Sequence, residues 1–201
     1  TPEAQTQEKS WAEAAQKGDS TAFMQIVEAY QRPVYNLCYR MLGDTVLAED
    51  AAQETFLRVY TKLNTYKHDR KFSSWVLSIA SHYCIDKLRK RRFQLVSWDD
   101  FDPWNHFPSQ DSTQPEGTLL EEENDREVRG LLDALSPDYR TVVILKYWYT
   151  MSCQEIAQTL GTTVSAVKTR LFRARKMMAA QITTNQALVP RRDTATAAGW
   201  C

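Results

Sequence analysis

Five Lys/Arg (Lys168, Arg170, Arg173, Arg175, Lys176) and no Asp or Glu lie between Thr162 and Thr184. Helical residues three or four apart are neighbours, so this acid-free set builds a cationic face. Such a face binds anions, and a polyanion best of all. Ser165, Thr169 and Phe172 lie on the same side as Lys168, Arg173 and Lys176, adding hydroxyl and aromatic groups suited to base edges. The alternative is an ordinary helical hairpin with a solvated basic face. Solvated faces usually mix charge signs for i,i+4 support, which favours nucleic acid here.

A second cationic set is Lys87, Arg89, Lys90, Arg91 and Arg92. A helix C-terminus favours one or two positive charges; five in six positions point to phosphate. Just upstream, Tyr66, Lys67, Arg70, Lys71, Phe72, Ser73 and Trp75 mix aromatic and basic groups. Taken singly, Phe72 and Trp75 read as core, yet aromatics beside a basic loop are also what stacks on unpaired bases. Glu49, Asp50, Gln53 and Glu54 make an acidic patch that, on the residues alone, reads as a solvated helix face. Enzyme chemistry has no constellation: there is no Gly-rich phosphate loop, and the three histidines are scattered. Cys38, Cys84, Cys153 and Cys201 show no metal-ligand spacing and read as reduced thiols. Neither metal nor cofactor is expected.

The elements that position these residues are helical. Ser152 and Glu155 form a capping box, Ile156, Ala157 and Leu160 line the short helix it starts, and Gly161 suits the turn that ends it. Thr162 or Thr163 caps the next helix, where Val164, Val167, Leu171, Ala174 and Met178 form an apolar stripe opposite the basic face. This is a helix-turn-helix layout, with the second helix in the major groove. Upstream, helical spacing runs from Ser10 to Lys17, from Asp19 to Gly43 with a break or kink at Pro33, and through 44–63 and 72–92. Later helices run from Glu121 to Leu135 and from Ser136-Pro137 through Val142–Tyr149. Residues 1–10 are polar and expected to fray.

Glycine and proline are sparse and β-branched alternation is rare, so the fold class is all-α. A net charge of zero conceals a partition. Residues 1–95 carry 14 Lys/Arg against 11 Asp/Glu, 96–127 carry 1 against 10, and 128–201 carry 10 against 4. Two basic ends joined by an acidic connector suggest two contacts with one polyanion. The connector's acids are expected to cover the basic surfaces and weaken binding to free DNA. No apolar run reaches the about 18 residues of a membrane span, so no membrane insertion is expected.

The blocks AEDAAQETFLRVY (48–60), FSSWVLSIASHYCIDKLRKRR (72–92) and LSPDYRTVVILKYWYTMSCQEIAQTLGTTVSAVKTRLFRAR (135–175) occur in an order that resembles a known family. The chain is similar to bacterial RNA polymerase sigma factors of the sigma-70 class, in the extracytoplasmic-function subfamily. The resemblance implies two small helical domains: region 2 over 10–95 and region 4 over 121–182. A flexible acidic linker over 96–120 would join them, and 183–201 would be a loose tail.

It further implies a cytoplasmic, non-enzymatic protein that serves stress responses. Such a protein binds core RNA polymerase through the β′ clamp helices and the β subunit, binds promoter DNA, and is held by an anti-sigma factor, with no small-molecule substrate. By resemblance, Glu49, Asp50, Gln53, Glu54 and Phe56 dock on polymerase. Tyr66, Lys67, Arg70, Lys71, Phe72, Ser73, Trp75, Lys87, Arg89, Lys90 and Arg91 contact melted −10 DNA. Ser165, Lys168, Thr169, Arg170, Phe172, Arg173 and Lys176 read the −35 element. The chain departs from the family in having Thr163 where proline is common, and in a linker rich in Trp and Phe. The rival reading is a dimeric helix-turn-helix regulator that acts without polymerase.

Overall fold

The computed structural model describes residues 2–67, 70–96 and 119–188. Among them are eight α-helices, a short 3-10 turn and no strand. The first four are α1 (Pro2–Gln16), α2 (Ser20–Leu42), α3 (Thr45–Lys62) and α4 (Phe72–Val96). The others are α5 (Leu119–Asp133), α6 (Pro137–Tyr147), α7 (Cys153–Leu160) and α8 (Val164–Leu188). The acidic connector falls almost entirely outside the described residues, as does most of the expected tail.

Local chemistry sets most boundaries. Asp19 accepts from the Thr21 and Ala22 amides and starts α2. Gly43 ends it at φ +74°, a left-handed turn that glycine adopts without steric cost. Asp44 then accepts from Leu47 N and starts α3. Two expectations need correction. Residues from Pro2 onward are helical rather than frayed, and α2 passes through Pro33 without ending. An interior proline costs about 3 kcal/mol. Burial of Ile26, Tyr30, Val34, Leu37 and Met41 along the same helix offsets it, at about 1.5–3 kcal/mol per large apolar side chain.

A single buried cluster runs from the helices α1–α4 into α5–α8. Leu37, Cys38 and Met41 of α2 belong to it together with Val142, Ile144 and Leu145 of α6. Polar contacts stitch the same junction. Arg140 Nη1 donates to the Met41 carbonyl at 2.7 Å, and the Tyr149 hydroxyl donates to the Pro33 carbonyl. Burial pushes the Tyr149 hydroxyl's pKa well above its usual range, so it remains a donor.

Candidate nucleic-acid interface

The helix-turn-helix is α7, a glycine turn and α8. Ser152 Oγ accepts from Glu155 N at 3.2 Å while the Glu155 carboxylate accepts from Ser152 N at 2.8 Å, so both halves of the capping box form. Gly161 ends α7 at φ +62°. Of the two candidate caps for α8, Thr163 takes the role, its hydroxyl oxygen accepting from Ala166 N at 3.1 Å. Val167, Leu171 and Ala174 are buried, and Val164 and Met178 are half-buried against the core. Their burial turns the opposite face outward. Ser165, Lys168, Thr169, Phe172, Arg173 and Lys176 are exposed along it, with Phe172 at 64% exposure despite its apolar ring. Arg170 is half-buried, its guanidinium 3.9 Å from Asp138.

The second basic surface lies along α4 and the loop before it. Lys67, Lys71, Arg89, Lys90 and Arg91 are exposed; Arg70, Ser73 and Lys87 are half-buried. Lys87 sits over the Tyr83 ring, 5.8 Å from its centroid. Phe72 and Trp75, which taken singly read as core and by resemblance as base contacts, are buried here together with Tyr66. Tyr66, Phe72 and Trp75 are 6%, 2% and 3% exposed and pack with centroids 5.1–5.6 Å apart. Gln16 of α1 donates to the Leu63 and Tyr66 carbonyls, and the Tyr66 hydroxyl donates to the Arg70 carbonyl at 2.7 Å. In this conformation these rings are core that shapes the loop, because three aromatics packed edge-on and tilted bury more surface together than each would against solvent.

On α3 the expected acidic surface divides. Glu49, Asp50 and Gln53 are exposed. Glu54 is bound to Arg58 at 2.7 Å, and Phe56 packs against the core. Sequence reasoning missed Val46, Leu57 and Tyr60, which are 64%, 63% and 63% exposed. Positions 46, 50, 53, 57 and 60 alternate steps of four and three, the spacing of a helix seam made to meet another helix. The four-three spacing is the signal in the sequence, and the neighbouring acids mask it by giving α3 the pattern of a solvated face. Among the described residues, no group of three or more His, Cys, Asp or Glu is placed to hold a metal, and no helix is long and apolar enough to cross a membrane.

A family model described as Sigma-70 region 2 matches residues 26–94, and one described as Sigma-70, region 4 matches residues 125–178. The first ends just past the basic stretch of α4, and the second covers α7, its glycine turn and α8 as far as Met178. The chain is 35% identical over 172 residues to the ECF RNA polymerase sigma factor SigW of Bacillus subtilis, covering 83% of this chain and 91% of SigW. Its fold is similar to that of CnrH, solved with the cytosolic domain of CnrY (TM-score 0.66, 24% identity, 89% of this chain and 99% of that one). It is similar also to sigma factor RpoE, solved with the anti-sigma factor NepR from Bartonella quintana (TM-score 0.64, 20% identity, 81% and 98%). With SigW this similar over nearly its whole length, the chain belongs to the extracytoplasmic-function sigma factors of the sigma-70 class.

Proposed function

We propose that this sigma factor grips a promoter at two places, with α8 in the major groove of the −35 element and the α4 surface on the −10 element. The observation that carries the reading is the exposed row on α8, where hydroxyls, cations and one bare aromatic stand opposite a buried stripe. Ser165, Thr169 and Phe172 suit base edges and thymine methyls, while Lys168, Arg173 and Lys176 suit phosphates or guanine. On α4 and the loop before it, Lys67, Lys71, Arg89, Lys90 and Arg91 supply phosphate contacts at the −10 element. Tyr66, Phe72 and Trp75 hold the loop that presents them.

As a sigma factor the protein binds core RNA polymerase and directs promoter-specific initiation. The α3 seam, with Glu49, Asp50 and Gln53 flanked by Val46, Leu57 and Tyr60, is the surface offered to the β′ clamp helices. Polymerase supplies the chemistry, so the protein itself is not an enzyme, and working on polymerase and DNA places it in the cytoplasm. RpoE was solved with an anti-sigma factor, and a protein partner of that kind is the expected inhibitor here. The test mixes the full chain with bacterial core polymerase, follows co-elution, and then assays transcripts from a −35/−10 fragment. Co-elution with specific initiation is the expected result. Tight dimeric binding to duplex DNA without any affinity for core would replace the reading with that of a conventional regulator.

A further inference from the structure

Helix α1 carries none of the residues assigned above to promoter or polymerase, yet its last residue reaches the loop of the −10 surface. Gln16 Nε2 donates to the Leu63 carbonyl at 2.9 Å and to the Tyr66 carbonyl at 3.1 Å, across 47 and 50 positions of sequence. Both partners are acceptors, so only the amide nitrogen fits there, with one hydrogen for each carbonyl. The half-buried side chain that makes these bonds springs from a fixed base. Ala12 is fully buried and Trp11 and Ala15 pack against the core, which docks α1. Directly after Gln16, Lys17 N and Gly18 N donate back to the Ala14 and Ala15 carbonyls, and Asp19 starts α2 at once.

We infer, resting on the two-site promoter reading above, that Gln16 is a positioning residue for the −10 element. Its amide fixes the backbone from which Lys67, Arg70 and Lys71 reach DNA. The loop is tied near both of its ends. At the start, the Leu63 carbonyl accepts from Tyr66 N at 3.0 Å as well as from Gln16, closing the 3-10 turn Leu63–Thr65. At the far end, the Tyr66 hydroxyl donates to the Arg70 carbonyl at 2.7 Å. Gln16 thus sets the Tyr66 backbone and Tyr66 sets Arg70, so one amide orients cations on both sides of the loop. Aromatic packing of Tyr66 with Phe72 and Trp75 holds side chains, whereas the Gln16 bonds hold the main chain. Without them the turn samples other directions, and affinity falls with the fraction of time that the loop is out of place. The α8 row belongs to another helix, so the effect is confined to one end of the promoter.

The experiment measures binding of holoenzyme, assembled from the full chain and bacterial core polymerase, to two fragments. One is the −35/−10 fragment of the transcription test; the other keeps the −35 element and lacks the −10 element. The ratio of the two affinities isolates the −10 contribution. Gln16→Met keeps the length of the side chain and removes both donors. It is expected to lower the ratio about fivefold, the effect of about one net hydrogen bond, while −35 binding and co-elution with core stay unchanged. Gln16→Ser, too short to reach either carbonyl, is the second loss variant and decides the matter if the methionine variant folds poorly. Gln16→His, assayed at about pH 8 where an ordinary imidazole is neutral, restores one N–H and is expected to recover about half of the loss. A wild-type ratio in both loss variants overturns the assignment. So does an equal loss on both fragments, which marks a purely structural role, or a histidine variant that recovers nothing. If wild-type holoenzyme binds the two fragments alike, the promoter reading itself falls; if wild type prefers the two-element fragment and the loss variants share that preference, only the role of Gln16 falls.

Discussion

Arg140 shows how much one side chain can carry in this molecule. It is 5% exposed, donates to the Met41 carbonyl at 2.7 Å, and pairs with Asp133 at 2.9 Å. Met41 lies in the last turn of α2, where the helix dipole favours a cation. Burial lowers the guanidinium's pKa while the Asp133 carboxylate raises it, and the side chain stays charged. Arg140→Met removes the charge but keeps much of the apolar stem, leaving the Met41 carbonyl and Asp133 without their donor. Stability is expected to fall by about 2 kcal/mol, read as a lower urea midpoint. Glu155 gives a pH signature. The Lys71 hydrogen bond, followed by the bonds to Ser152, lowers its carboxyl from 4.5 to about 2. Because the folded value is the lower one, the stabilisation is complete above pH 4.5 and is lost as pH falls toward 2. The stability gap between wild type and Glu155→Gln should be constant from pH 5 to 7 and close by about pH 2.

At the scale of helices, stability and function separate on α3 and α8. Phe172 is 64% exposed, so Phe172→Ala should change stability by no more than about 0.5 kcal/mol. If α8 reads the −35 element, the same change lowers promoter affinity in a binding assay and leaves co-elution with core polymerase intact. Leu57→Ala on the α3 seam should do the reverse: the melting temperature holds, co-elution weakens, and affinity for duplex DNA is unchanged. The helix-turn-helix of α7 and α8 was the most legible part of the chain. The Ser152–Glu155 box, Gly161, a threonine cap and the Val167–Leu171–Ala174 stripe all obey rules that act within four residues. Burial of Tyr66, Phe72 and Trp75 was not legible in the same way, because an aromatic beside a basic loop satisfies both a core pattern and a stacking pattern. Pro33 misled for a related reason. A local rule predicts a break or kink there, and packing along the rest of α2 carries the helix through without a break.

Across the whole molecule, the contacts that matter most join residues far apart in sequence. Lys71 meets Glu155 across 84 positions, and Arg140 meets Met41 across 99. No periodicity encodes such pairs, so the sequence showed two basic ends and an acidic middle but not that the ends meet. Their meeting has a thermodynamic consequence. Because α2 and α6 share one buried cluster, melting either unit strips apolar neighbours from the other. Calorimetry of the intact chain should therefore show one transition, with van't Hoff and calorimetric enthalpies equal. Salt tests what holds the junction. At about 1 M the Debye length falls to about 3 Å, which weakens the exposed Lys71–Glu155 and Arg89–Asp138 pairs. Leu37, Met41, Val142 and Ile144 are insensitive to that screening, so the transition should stay single while free-DNA binding falls steeply. Two well-separated peaks at low salt would mean that the units fold independently. The junction would then contribute little to stability, and the ion pairs alone would have to hold α1–α4 against α5–α8.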